Sequence, residues 1–226
     1  MIPFQETVHN FIFTGEAGSG KSEISAAFSC CLANSGRQVD FFDLDQTKPL
    51  FRSRDYLRQN QTPNLHLHFQ DQFLDSPLSV PGISESLSDR EVCTVVDLGG
   101  NAVGARMIAP FSHLTNRPDT ITWFIVNPFR PWSCNQKVLN ETIAQLSAHS
   151  RIASFQFLSN PTLGPNTTIE QVIEGHRAVL EMVAPDPVHA LCIDQKLAGQ
   201  SDGICSEPVF PISLSHSDCS RIFPIP

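Results

Sequence analysis

The stretch GEAGSGKS, residues 15–22, constrains this chain more than any other. It follows the apolar run FIFT and precedes EISAAFSCCLA, in which polar and apolar residues alternate in a helix-like way. The sequence therefore predicts a strand, a glycine-rich loop and a helix, in that order. Gly15, four residues, then Gly20-Lys21-Ser22 is the complete phosphate-loop spacing. Glycines let the backbone curl until successive N–H groups converge on phosphate oxygens, and a helix starting near Gly20 adds the positive end of its dipole. Gly15, Glu16, Ala17, Gly18, Ser19, Gly20, Lys21 and Ser22 are thus the expected nucleotide-binding residues. Lys21 would neutralise the β and γ phosphates, and Ser22 would bind Mg²⁺.

The rest of the chain continues the alternation. Strand-like runs NFIFT, QVDFFDLD, NLHLHF, VCTVVDLGG, TITWFIVN and IASFQFLSN are followed by helix-like segments at about 20–34, 49–59, 83–90, 101–115, 133–149 and 167–183. Strands that are continuously apolar are buried on both faces of a parallel sheet. The expected fold is α/β, a doubly wound, mostly parallel sheet flanked by helices. The proline- and serine-rich end carries two more strand candidates, VHALCID and EPVFPISLS, too little for a core of its own, so residues 1–226 read as a single domain.

A phosphate loop indicates a nucleotide and leaves the reaction open. Carboxylates at neighbouring strand ends narrow it. VDFFDLDQTKP places Asp43 and Asp45 two residues apart, hence on one side of a strand end, and VCTVVDLGGN delivers Asp97 followed by Gly99 and Gly100. Asp97 has the form of a magnesium-orienting acid. Gly99 and Gly100 could let a backbone N–H approach the γ-phosphate.

Composition excludes some partners. The chain has 226 residues, 41% of them hydrophobic and 17% charged, and 23 acidic against 15 basic residues give a net charge of -8, so no global positive field draws nucleic acid. The opening MIPFQETVHNF has neither a basic start nor an apolar centre and does not read as a secretory signal, and no apolar run approaches the roughly 18 residues of a membrane span. Seven cysteines without a CxxC or CxC pair point to mostly buried thiols in a reducing cytoplasm. Cys30 and Cys31 read as core of the first helix. Cys134, in NPFRPWSCNQ, is the exception to watch.

In GEAGSGKS, DLDQTKP, DLGGN and FLSNP, and in their order along most of the chain, the sequence resembles the ATPases that position septa and partition plasmids, together with the nitrogenase iron protein and the arsenite-pump ATPase. The resemblance implies ATP and Mg²⁺, with Asp45 orienting the attacking water and Asn160 of FLSNP reading adenine. Asn127 of FIVNP is the rival, and residues 213–217 would enclose the base. It also allows a nucleotide-dependent homodimer and a protein client. The C-terminal SRIFPIP cannot form the basic amphipathic helix with which septum-positioning relatives grip membranes.

One position departs from that pattern. Many members carry a lysine where this chain has Glu16, and in their ATP-bound dimer it reaches the partner's nucleotide. A carboxylate at about 4 Å from phosphate would be repelled by roughly 1–4 kcal/mol unless it points outward or pairs with a cation. The chain either manages without that lysine or borrows its positive charge from elsewhere, and Lys48, Arg52, Arg54 and Arg58 are the first places to look, with Arg52 and Arg54 foremost; a solvated helix face or a partner patch is the competing reading. Arg130 and Trp132, after a strand's carboxyl end, form either a partner or substrate surface or a capped loop. His66 and His68 share a strand face that could hold a metal or be merely half-exposed.

The sequence thus predicts a cytoplasmic, ATP-binding, Mg²⁺-dependent ATPase that switches a protein client, with Lys21, Asp45 and Asp97 catalytic and Ser22, Asp43 and Asp97 around the metal. No NKxD run is present, which disfavours guanine. A ligase resembling dethiobiotin synthetase or the cobyrinate amidating enzymes, and a scaffold that binds nucleotide without hydrolysis, are the alternatives.

Overall fold

The computed structural model describes residues 2–45, 57, 62–68, 81–200 and 205–212. Lys48, Arg52, Arg54, Arg58, the proposed base-enclosing loop at 213–217 and the C-terminal SRIFPIP lie outside the described residues.

Eight strands form one parallel sheet: β1 (Asn10–Thr14), β2 (Gln38–Asp43), β3 (Leu65–His68), β4 (Val92–Asp97), β5 (Thr120–Val126), β6 (Gln156–Ser159), β7 (Val188–Asp194) and β8 (Val209–Ile212). Their order is β3-β2-β4-β1-β5-β6-β7-β8, every pairing parallel. All strand carboxyl ends therefore share one edge. The chain reverses its direction across the sheet around β1, the place where ligands bind in such folds. Both late strand candidates join the same sheet, on the far side from β3.

The helices among the described residues include α1 (Lys21–Asn34), α2 (Ile83–Ser88), α3 (Ala102–Ile108), α4 (Ser112–Thr115), α5 (Gln136–Ser150), α6 (Ile169–Val183) and α7 (Gln195–Ala198). The helix expected over 101–115 is broken, because Pro110 cannot donate to an α-helical ladder and the chain tightens into a 3₁₀ turn at Ala109–Phe111. The segment expected from 133 starts as a separate turn, Pro131–Ser133. Asn135 then caps α5 by accepting from the Val138 N–H. At α6, Thr168 and Gln171 form a reciprocal capping box, so the helix starts two residues later than the pattern indicates.

The central strand β1 is buried at every residue. On one face, Phe28 of α1 sits in an aromatic cluster, its ring centroid 4.9 Å from Phe11 of β1 and 5.1 Å from Trp123 of β5. Edge-to-face aromatic packing of this kind adds about 0.5–1.5 kcal/mol per pair beyond burial. Cys30 and Cys31 join the same apolar cluster, as the sequence predicts. The cluster fixes α1 against the sheet, and with it the loop that α1 follows. On the opposite face Ile12, Phe42 and Val96 pack with α2 and α3, while Phe124 and Val126 pack with α5 and α6.

Candidate functional site

The loop between β1 and α1 is built on left-handed backbone. Gly15, Gly18 and Gly20 have φ of 146°, 75° and 92°, values that residues with a Cβ rarely adopt. At Gly20 a side chain would also run into the Asn160 amide. No side chain among the described residues caps the N-terminus of α1, which leaves its first-turn N–H groups to a ligand.

Three neighbours hold the loop in place. Asn160, just past β6, donates from Nδ2 to the Ser19 carbonyl at 2.7 Å, and Arg130, in the loop after β5, donates from Nε to the Gly18 carbonyl at 3.0 Å. Gly100, just past β4, approaches so closely that a Cβ there would strike the Gly15 carbonyl. Residues distant in sequence thus close on residues 15–20 because their strands are adjacent to β1 or follow it in the sheet order.

The acidic residues gather at the same edge. Lys21 Nζ lies 3.0 Å from Asp45 Oδ2, and both side chains are almost fully buried, 9% and 5% exposed. Asp43 Oδ1 accepts the Asp45 backbone N–H at 3.1 Å, which fixes the turn that presents Asp45. Asp43 and Asp97 are register partners on adjacent strands β2 and β4, and Asp97 is wholly buried. A Cβ on Gly99 would lie 3.3 Å from Asp45 Oδ1, so Gly99 packs directly against that carboxylate. The structure therefore brings together Lys21, Ser22, Asp43, Asp45, Asp97 and Gly99.

Glu16 keeps its place in the loop backbone, but it is Ala17 and Gly18 that line the cleft beside it. Its half-buried carboxyl is pushed above the ordinary range by desolvation, while the Ala17 N–H, the Thr142 hydroxyl of α5 and the Lys21 charge pull the other way. Its partner Thr142 lies on α5, so the carboxyl leans on that helix while still feeling the Lys21 charge.

Among the described residues, Arg130 is a cation held beside the loop. The sequence offers a partner or substrate surface or a capped loop for this residue; in the structure it lines the cleft, while Trp132 is 57% exposed. Arg130 also faces Glu23, in the first turn of α1, whose carboxyl is raised by burial and drawn back by the arginine's charge. The one sequence signal for Arg130 was its position after the carboxyl end of a strand next to β1.

From the loop a cleft of about 570 Å³ runs past Asn160 to an apolar end formed by Pro161, Pro165, Val172, Ile193, Leu197 and Ile212. That volume and lining match a small-molecule site, with polar groups at one end and an apolar slot at the other. Of the two asparagines, Asn160 borders the cleft. Asn127 is fully buried and ties its own loop to the one after β6, donating to the Thr162 carbonyl at 2.8 Å and accepting from the Phe129 N–H at 3.1 Å. The loop at 161–167 and α7 went unrecognised in the sequence, because their apolar residues meet only after β6 and β7 pair. His66 and His68 flank Asp40 Oδ1 at 3.5 and 3.2 Å, on β3 and β2. Cys134 is exposed.

A parallel sheet with a glycine-built anion cradle at its switch point defines a phosphate-loop nucleotide-binding protein. The model of the CobQ/CobB/MinD/ParA nucleotide binding domain matches residues 11–186, and the chain belongs to that family. Among solved structures it is similar to a nucleotide-binding protein from Archaeoglobus fulgidus in complex with ADP, with 14% identity and a TM-score of 0.47 over 95% of this chain and 85% of that one. No curated protein matches the sequence. No helix among the described residues is long and apolar enough to cross a membrane.

Proposed function

We propose that this protein is an Mg²⁺-dependent ATPase that uses its nucleotide state as a switch for a protein partner. The observation that carries this reading is the buried Lys21–Asp45 ion pair. In the proposed cycle the same two residues are needed for chemistry, Lys21 on the β and γ phosphates and Asp45 on the attacking water. A triphosphate in the cradle competes with Asp45 for Lys21. The carboxylate, released, is placed to accept a hydrogen bond from water in line with the γ-phosphorus. Water attacks, the bond to the ADP oxygen breaks, and inorganic phosphate leaves.

Ser22, Asp43 and Asp97 fit magnesium, because a hydroxyl and two carboxylates at adjoining strand ends are the hard oxygen donors it takes. When bound, Mg²⁺ supplies charge that offsets the β and γ oxygens. Arg130 stands by the loop as the positive charge that Glu16 does not provide, in the same chain. Gly99, packed on Asp45, couples the β4 end to the change of partner at Lys21. The segment following Asp45 then responds to γ-phosphate loss, the usual way such switches reach a client. The apolar end of the cleft takes the base, with Asn160 beside it, and hydrolysis is slow until the partner or a second copy completes the site.

ATP turnover with size analysis, for the wild type, Lys21→Ala and Asp45→Ala, tests this reading. The expected result is slow release of phosphate to water in the wild type, loss in both variants, and a nucleotide-dependent change in size. Turnover only in the presence of a carboxylate substrate would mark a ligase instead, and intact ATP throughout would mark a scaffold.

A further inference from the structure

We infer that His176, Cys205 and Glu207 form a second metal site, suited to Zn²⁺, behind the nucleotide cleft. One donor atom from each, an imidazole nitrogen, a sulfur and a carboxylate oxygen, lies within 4.8 Å of the other two. His176 Nε2 is 3.1 Å from Glu207 Oε2, and the Cys205 sulfur is 3.5 Å from the Glu207 carbonyl oxygen. These groups come from two separate parts of the chain: His176 is on α6, 4% exposed, and the other two precede β8.

The surroundings favour an ion over a chance meeting of polar groups. A small cavity of about 60 Å³ adjoins His176 and Cys205, and Ile169, Val172, Ile173, Leu191 and Arg177 complete its lining. Glu207 holds His176, Cys205 and Ser206 by hydrogen bonds, while the buried His176 Nδ1 has no partner among the described residues, a cost that a ligand would remove. A divalent cation takes one donor from each of the three at once. The mixed nitrogen, sulfur and oxygen set is borderline-soft, which selects zinc over magnesium or calcium, and three protein ligands leave a fourth tetrahedral position to water.

Coordination requires the Cys205 thiolate, so one proton passes from that thiol to solvent as zinc binds. The ion ties α6 to the segment entering the edge strand β8. Val172 of α6 and Ile212 of β8 both border the nucleotide cleft, so the tie braces one wall of that cleft. This site shares no residue with Ser22, Asp43 and Asp97.

Metal-stripped full-length protein, without nucleotide, is titrated with Zn²⁺ against a chromophoric chelator and, in parallel, with Co²⁺ as a spectroscopic probe. The expected result is one tight equivalent, a thiolate-to-cobalt charge-transfer band, and a thermal midpoint that zinc raises by several degrees. Cys205→Ser should weaken zinc at least about 100-fold and abolish the band, Glu207→Gln should weaken it at least about 10-fold, and Cys134→Ser should change neither. Both ligand variants lie on a partly exposed segment, and their chelator-treated midpoints, if equal to the wild type, show that they fold. Zinc binding equal in wild type and Cys205→Ser overturns the inference, as does cobalt binding without the thiolate band, which would place the ion on donors other than Cys205. Because no nucleotide is present, the outcome is independent of the ATPase reading.

Discussion

Arg130 donates from Nε to the carbonyl of Gly18 at 3.0 Å, joining the loop after β5 to the phosphate loop across 112 positions of sequence. The guanidinium packs over Gly18, where a Cβ would lie 3.3 Å from Nε. In the proposed function a planar cation fixed there would act on phosphate and on loop shape together. Arg130→Ala is expected to lower ATP affinity about 10-fold or more and ADP affinity less, since a triphosphate carries the greater charge. Arg130→Lys should recover part of the ATP loss, as a point charge without the fork geometry. Calorimetric titration of both nucleotides checks this; equal losses for ATP and ADP would assign Arg130 to loop support alone.

Gly100 meets backbone rather than a flexible side chain, since its Cβ would strike the Gly15 carbonyl. Neither strand end can move without disturbing the sheet. Gly100→Ala should therefore cost about 1–3 kcal/mol of stability and weaken nucleotide binding, while Gly36→Ala, with nothing within 4 Å, should leave binding unchanged. Denaturant unfolding with parallel nucleotide titrations measures both.

Glu23 has its carboxyl raised above 4.5 by burial, opposed by the charge of Arg130. The sign follows from proton counts: between 4.5 and the raised value the folded state holds more protons than the unfolded, so this group's contribution to stability falls as pH rises through that window and is constant above it. Glu23→Gln removes the titration. Its thermal midpoint relative to wild type should therefore climb as pH rises from about 4.5 and level off above the raised pKa. A difference that does not vary with pH would show that Glu23 titrates normally.

The sheet and the phosphate loop were legible because both are local patterns: continuously apolar strands, a glycine spacing, and a helix whose only first-turn acid is Glu23. Asp43, Asp45 and Asp97 were legible because a parallel sheet brings strand ends to one edge. The sequence could not tell which distant side chains lean on the loop. Asn160 was expected at the base, and in the structure it braces Ser19; Arg130 was read as part of a partner or substrate surface or a capped loop, and it contacts Gly18. Both contacts depend on strand order, which follows from the packing of Phe28, Trp123 and their neighbours rather than from local pattern. The cleft's apolar end depends likewise on β7 and β8, where Ile193 and Ile212 converge from separate segments.

The central claim is that phosphate and Asp45 compete for Lys21. Asp45→Asn keeps the shape of the side chain and removes the competing charge. Measured by equilibrium titration with ATP and Mg²⁺, alongside phosphate release, the variant should bind ATP at least as tightly as the wild type, about 3- to 10-fold tighter, while hydrolysis falls at least about 10-fold. Weaker binding, as expected for Lys21→Ala, or wild-type turnover in Asp45→Asn would contradict the account.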